Sequence, residues 1–171
     1  NMGGVWDVAQ LSDYLGIRGR VLTTSTGLTD EQMPTMYNAF DVVLSTSEGE
    51  SFGFGQLEAA ACGVPSIAIR CGGQPSWAGD AIYWVDPSVY VFTPNRTNTK
   101  RWIATEDDFV HAMNHMYRDT ELRNTYSQFG QDLVKSMPAW DDIAKHFDDV
   151  LLKTFKVIDT TVQSNYAAEF G

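Results

Sequence analysis

Short apolar runs and helix-spaced apolar stripes alternate along this chain, and one pair of runs frames its most informative stretch. Asp41-Val42-Val43-Leu44-Ser45-Thr46 is apolar and β-branched, which predicts a strand buried on both faces. Ser47 to Gly55 is rich in Gly and Ser and predicts a turn. Gln56 to Cys62 holds strong helix formers and no breaker, and Gly63 supplies a C-terminal stop. Val64-Pro65 then leads into a second strand, Ser66 to Arg70. The whole predicts a β-turn-α-β unit with a right-handed connection.

The flanking pattern extends this unit in both directions. Val8, Leu11, Tyr14 and Leu15 predict a helix within Val5 to Leu15, stopped by Gly16. Val21 to Thr24 predicts a strand and Thr24 to Asp30 a loop, while Pro34 suits the first position of a short helix ending near Phe40. Ala81 to Val85 predicts a further strand, and the polar segment Pro94 to Lys100 a loop. Thr105-Glu106-Asp107-Asp108 has the form of a capping box with Asp in place of Glu. The helix after it places Phe109, Ala112, Met113, Met116 and Tyr117 on one face. Another helix holds Leu122, Tyr126, Phe129 and Leu133, and a last one begins near Trp140 with Ile143, Phe147, Val150 and Leu151 turned inward. Strands alternating with helices, then a helical finish, predict an α/β fold: a Rossmann-like doubly wound parallel sheet with flanking helices. Only four strands are counted, so the expected organisation is one domain over residues 1–156 that lacks its first strands, followed by a tail over 157–171.

The turn from Glu50 to Glu58 carries the candidate chemistry. In α/β units ligands sit outside the carboxyl ends of the strands. The first turn of a helix offers free N–H groups with partial positive charge. Gly53 and Gly55 lack Cβ atoms, which predicts close ligand approach to the backbone. Glu58 is expected in the first helical turn, where the dipole favours its ionised form. A carboxylate repels phosphate and suits neutral hydroxyl donors, such as the two of a vicinal diol. Glu50, at the lip of the strand, is placed to grip a second set of hydroxyls. A polyhydroxylated, phosphate-bearing ligand such as a sugar nucleotide fits this geometry. Either glutamate alone is no better evidence than any solvated surface carboxylate; the joint pattern carries the weight.

Those residues resemble a known signature. E-S-F-G-x-x-x-x-E-A-x-A-C-G-x-P is similar to that of retaining glycosyltransferases of the GT-B architecture, in the family 4-like group also called glycosyl transferases group 1. Met33 to Val42 resembles the segment preceding the signature, Gly72-Gly73-Gln74-Pro75 resembles the G-G-x-P-E loop, and Trp140 with its helix resembles the C-terminal end. The resemblance covers roughly residues 5 to 155 and implies the C-terminal, donor-binding half of a two-domain enzyme. It implies that Glu50 is catalytic and bonds hydroxyls of the donor sugar. The N–H groups of Phe52 and Gly53 would bond the same sugar, and those around Gly55 and Gln56 the distal phosphate. Ser51 and Phe54 complete the donor-binding set, and Glu58 would bond the ribose hydroxyls. The implied donor is a UDP- or GDP-linked sugar, transferred with retention of configuration and with neither metal nor cofactor. The acceptor, a glycan, lipid or protein, would lie mostly on an N-terminal domain absent from this chain, so these residues alone are expected to bind donor weakly and turn over negligibly. Ser76 stands where the family commonly has Glu, and the Arg- and Lys-bearing segment that holds the diphosphate has no counterpart here.

Composition narrows the partners. A net charge of −10, from 12 basic and 22 acidic residues, argues against general nucleic-acid binding. Cys62 and Cys71 are the only cysteines and read as reduced thiols, not a disulfide framework. No apolar run reaches the roughly 18 residues of a transmembrane segment. No signal peptide is read at the start, so Asn95-Arg96-Thr97, although a glycosylation sequon, carries no weight. The expected location is cytoplasmic, with a membrane face as the family's frequent place of work. His111 and His115 share a helix face at i, i+4, but Ala112 stands where a zinc protease has Glu, so they read as solvated histidines and no metal site is expected. Neither a Walker A motif nor a G-x-S-x-G elbow occurs. Thr23 to Gly27, at a strand's carboxyl end, is a candidate contact to the base or plain loop filler. The rival readings are a non-catalytic sugar-nucleotide-binding or scaffold module of the same fold and, less favoured, a sugar-nucleotide epimerase.

Overall fold

The computed structural model describes residues 7–23, 27–93 and 99–170, with only the backbone over 157–170. Contacts divide the chain into two compact units, Asn1–Met36 and Tyr37–Gly171.

In the first unit, helix α1 (Val8–Tyr14) starts at Asp7, whose carboxylate accepts from the N–H groups of Ala9 and Gln10. A single 3₁₀ turn, Arg18–Arg20, follows. Residues 21–23 form no strand, contrary to the sequence expectation, and Leu22 is 99 % exposed. A β-branched run forms a strand only where a neighbour takes its backbone groups, and none is present among the described residues. Val5, the Thr24 end of that expected strand, the middle of the Thr23 to Gly27 loop and the Asn95-Arg96-Thr97 sequon lie outside the described residues.

Helix α2 (Met33–Tyr37) crosses the boundary into the second unit, which is α/β as expected. Strands β1 (Val43–Ser45), β2 (Ser66–Ile69) and β3 (Ile82–Val85) form a parallel sheet in the order β1-β2-β3. Helix α3 (Phe54–Ala61) connects β1 to β2, and α4 (Gln74–Ala78) with a 3₁₀ turn connects β2 to β3. The end of α3 is a Schellman motif: Val64 N–H donates to Ala59 and Gly63 N–H to Ala60, with Gly63 left-handed at φ 73°. Gly63 is thus the stop that the sequence indicated.

Every residue of β2 is buried. Side chains alternate faces along a strand, so Ile67 and Ala68 point to opposite sides. Ile67 packs with Val85, Ala112 and Met116 under helices α5 (Glu106–Arg118) and α6 (Thr120–Ser136). Ala68 packs with Ala78 and Ile82 on the α4 side. At β2 the sheet is therefore covered on both faces, as a doubly wound arrangement requires. The capping box of α5 forms as read, with Thr105 and Asp108 exchanging side-chain-to-backbone bonds.

Three expectations fail here for one physical reason, the lack of a covering element among the described residues. β1 has only β2 beside it among the described residues, and Leu44 is 41 % exposed, so this strand is not buried on both faces. On α5, Ala112 and Met116 are buried, but Met113 and Tyr117 face solvent. The last helix, α7 (Trp140–Phe170), keeps Ile143, Phe147, Val150 and Leu151 exposed instead of inward. Its backbone stays helical to Phe170, through the segment read as a tail. The sequence also missed α4 and an antiparallel hairpin of β4 (Val89–Phe92) and β5 (Lys100–Ile103); Lys100 belongs to that strand and not to the expected loop. Among the described residues, no helix is long and apolar enough to cross a membrane.

Met116 is wholly buried and Tyr117, beside it, is 82 % exposed. Met116→Ala should cost roughly 2–5 kcal/mol in urea unfolding, through lost burial and a residual cavity. Tyr117→Ala should change stability by less than about 0.5 kcal/mol. Equal effects would contradict this core.

Candidate functional site

Parallel pairing brings the carboxyl ends of β1 and β2 to one edge of the sheet. Two loops meet there: Thr46 to Gly53 after β1, and Arg70 to Gly73 after β2. They are joined through their backbones. Gly73 N–H donates to the Glu50 carbonyl at 2.9 Å. The Cys71 thiol donates to the Ser47 carbonyl at 3.5 Å, and burial pushes that thiol's pKa up. Trp77 Nε1–H donates to the Phe52 carbonyl at 2.8 Å, and its ring stacks on Phe52 with centroids 5.0 Å apart. From the hairpin, Trp102 N–H donates to the Glu48 carbonyl at 2.8 Å.

Glycine makes this junction possible. A Cβ on Gly72, which is left-handed at φ 62°, would stand 1.8 Å from the Glu50 carbonyl oxygen. A Cβ on Gly73 would stand 2.0 Å from that of Ser51. Neither neighbour is a side chain that could swing away. Ser76, where the resembled signature has Glu, turns its hydroxyl back to the Gly73 carbonyl at 2.6 Å.

Each residue singled out in the sequence has a definite place on this edge. Glu50 is half-buried, and its carboxylate accepts from the Ser51 N–H at 3.1 Å. Ser51 is exposed, Phe52 half-buried between Trp77 and Phe54, and Phe54 57 % exposed. Gly53 is buried and left-handed at φ 82°, and it caps α3. Its missing Cβ leaves room not for a ligand, as the sequence suggested, but for the protein's own side chains. A Cβ there would lie 2.0 Å from Gln74 Nε2 and 2.8 Å from Gln56 Oε1. Gln56 turns inward and is buried, as is Gln74, whose Nε2 has no partner among the described residues.

The helix starts two residues earlier than expected, because the left-handed Gly53 turns the chain directly into it. Glu58 is therefore the fifth helical residue, about 6 Å along the axis from Phe54, and not in the first turn. The Gln56 N–H, expected to be free, donates to the Gly53 carbonyl at 3.2 Å. Gly53 offers no side-chain cap, and among the described residues nothing accepts from the N–H groups of Phe54 and Gly55. These two amides are open donors at the start of α3.

Nearby cations are engaged. Arg70 pairs with Asp86 at 2.7 Å and lies over Trp84, and Arg101 pairs with Glu48 at 3.3 Å. The Lys100 ammonium lies over Tyr90 and Trp102, 4.0 and 3.8 Å from the ring centroids. His111 and His115 are exposed on α5, and His115 Nδ1 lies 3.0 Å from the Tyr83 hydroxyl. Among the described residues, no group of three or more His, Cys, Asp or Glu is arranged to hold a metal. A cavity of about 450 Å³ lies away from this edge, lined by Ala39 to Val42 before β1, Ile67, and residues of α5 and α6 including Met113 and Arg123.

Sequence reasoning gave Tyr37 no role. It is buried, and its hydroxyl donates to Glu58 Oε2 at 2.8 Å. Burial first, then the Glu58 carboxylate, pushes its pKa from 10.0 up to about 12. The two residues are 21 positions apart, and no local pattern announces the contact.

Two outcomes are expected. Gly72→Ala should cost more than about 1 kcal/mol in chemical denaturation, since it meets both strain and backbone overlap. Gly19→Ala, with nothing within 4 Å of its added Cβ, should stay within about 0.5 kcal/mol. A fold that keeps the Tyr37 hydroxyl protonated is stabilised fully below pH 10, and that contribution is lost as pH rises through about 12. Between those values the native chain should lose stability more steeply than Tyr37→Phe; parallel denaturation profiles would contradict it.

The family described as Glycosyl transferases group 1 matches residues 8–133. The D-inositol 3-phosphate glycosyltransferase of Mycolicibacterium smegmatis is 40 % identical over 75 residues, 44 % of this chain and 17 % of that protein. Its namesake from Salinispora arenicola is 36 % identical over 94 residues, 51 % of this chain and 20 % of that protein. The matches thus span about a fifth of the curated relatives' length. In fold, the chain is similar to a sucrose-phosphate synthase from Thermosynechococcus elongatus, with TM-score 0.68, 22 % identity, and coverage of 88 % of this chain and 34 % of that one. It is likewise similar to the C-terminal domain of a glycosyl transferase group 1 family protein from Francisella tularensis, with TM-score 0.57, 24 % identity, and coverage of 74 % and 58 %. With a family match across most of its length and the α/β architecture of half a GT-B molecule, this chain belongs to the glycosyl transferases group 1 family.

Proposed function

We propose that this chain is the C-terminal, donor-binding half of a retaining glycosyltransferase that moves a hexosyl group from a UDP- or GDP-linked sugar to an acceptor. The observation that carries the reading is the start of α3, where the amides of Phe54 and Gly55 remain open, with Glu50 in the loop that leads in and Glu58 in the second turn of the helix. In this reading Glu58 accepts from the two ribose hydroxyls. The diphosphate lies against the amino end of α3, where open N–H groups and the helix dipole favour negative charge. Glu50 accepts from hydroxyls of the donor sugar, assisted by the N–H groups of Phe52 and Gly53, with Ser51 exposed at the lip. Gln56 serves from within, filling the space beneath Gly53 and supporting the turn.

The electrostatics divide in two. The carboxylates meet neutral hydroxyls, and the amides that start α3 meet the phosphates. As the glycosidic bond breaks, charge grows on the departing diphosphate. Fixed amide dipoles stabilise that charge without reorganising, which is how such a site lowers a barrier with no metal. Domain closure excludes water and brings the acceptor, so catalysis belongs to a two-domain enzyme. The proposed domain spans 1–156 with 157–171 as a C-terminal extension, working in the cytoplasm at a membrane face on a glycan, lipid or protein acceptor. A non-catalytic module of the same fold would share the binding and lack the transfer.

Calorimetric titration of UDP-glucose and GDP-mannose into the chain and into Glu58→Ala tests the reading. Losing hydrogen bonds to a charged group costs about 1.5–3 kcal/mol each, so the variant should bind the preferred donor at least about tenfold more weakly. The chain alone should show negligible transfer. Equal affinity in both proteins would contradict the assigned site.

A further inference from the structure

We infer that Tyr37 is a positioning residue for Glu58, holding one carboxylate oxygen so that the rest of the carboxylate faces a vicinal diol. This rests on the ribose-binding reading of Glu58 given above. An ionised carboxylate has about four acceptor positions, and a vicinal diol uses two of them. Glu58 is exposed on α3, and a long exposed side chain samples several rotamers. Binding that must first select one of them loses affinity.

The structure removes this freedom in a specific way. The Tyr37 ring is buried and meets Phe40 edge to face, with centroids 6.3 Å apart, so its hydroxyl has a fixed position. Its single proton goes to Glu58 Oε2 at 2.8 Å. Burial and the neighbouring carboxylate raise the hydroxyl's pKa from 10.0 to about 12, so the proton stays on Tyr37 at neutral pH. Gly55 precedes Glu58 by three residues and shares its helix face. The position of a Cβ on Gly55 is 3.6 Å from the Tyr37 hydroxyl, so the Gly55 backbone lies beside the hydroxyl that holds Glu58. The remaining acceptor positions of Glu58 stay open to solvent. A tyrosine serving packing alone would need neither a buried proton donor nor an exposed acceptor.

The test is a ratio. Affinities for UDP and 2′,3′-dideoxyuridine 5′-diphosphate, and for GDP and its dideoxy counterpart, are measured for the native chain, Tyr37→Phe and Glu58→Ala. The native chain should prefer the ribonucleotide. Tyr37→Phe should narrow that preference about fivefold or more, as loss of one charge-assisted bond implies, and leave the dideoxy affinity unchanged. Glu58→Ala should abolish the preference. If Glu58→Ala keeps it, the ribose reading fails, and this inference with it. If Glu58→Ala abolishes it but Tyr37→Phe keeps it, or weakens both nucleotides alike, the ribose reading stands and the role of Tyr37 is overturned. Should Tyr37→Phe not fold, 3-fluorotyrosine at position 37, nearly the same size and a stronger donor, should widen the preference; an unchanged ratio overturns the inference.

Discussion

Everything on this edge of the sheet depends on two backbones passing within hydrogen-bond distance. Gly73 donates to the Glu50 carbonyl, and Gly72 and Gly73 lie against the carbonyls of Glu50 and Ser51 where no Cβ fits. This contact ties the loop after β1 to the loop after β2. With the Trp77 bond to Phe52, it fixes the path of the chain into α3. The left-handed Gly53 then sets where the helix begins, and so which amides remain open and how far Glu58 lies from them. A rigid edge matters because functional geometry tolerates little looseness.

Much of the central unit was legible because its signals are local. The apolar run of β2, the Gly63 stop and the Thr105 capping box each depend on neighbours within a few positions. What was missed depends on distant partners. The resemblance of Gly72-Gly73 to a known loop was visible, but not that its glycines make room for another loop's carbonyls. Gly53 read as an opening for a ligand because sequence cannot show that Gln56 and Gln74 fill the space. The apolar stripes of α5 and α7 read as inward because periodicity names a face and not what covers it; Met113, Tyr117 and Phe147 are exposed. Tyr37 lay inside a segment already recognised as family-like, yet its bond to Glu58 spans 21 residues.

The charge arrangement follows the same logic. A chain of net charge −10 is a poor general host for a diphosphate. The cations near the edge, Arg70, Arg101 and Lys100, are occupied by Asp86, by Glu48 and by aromatic faces. Exposed ion pairs of this kind contribute little to stability. Among the described residues, positive potential at the edge is left to the backbone amides that start α3, which need no side chain and which no carboxylate caps. Glu58 is kept from those amides by its place in the second turn and by its bond to Tyr37.

Amide chemical-shift mapping during titration with a nucleotide sugar tests the central claim most directly. UDP-glucose or GDP-mannose should move the amide resonances of Phe52 to Gln56, together with those of Tyr37 and Glu58, and leave Ala39 to Val42 and Met113 in place. Shifts gathered instead around the cavity lined by Phe40, Met113 and Arg123 would contradict the account.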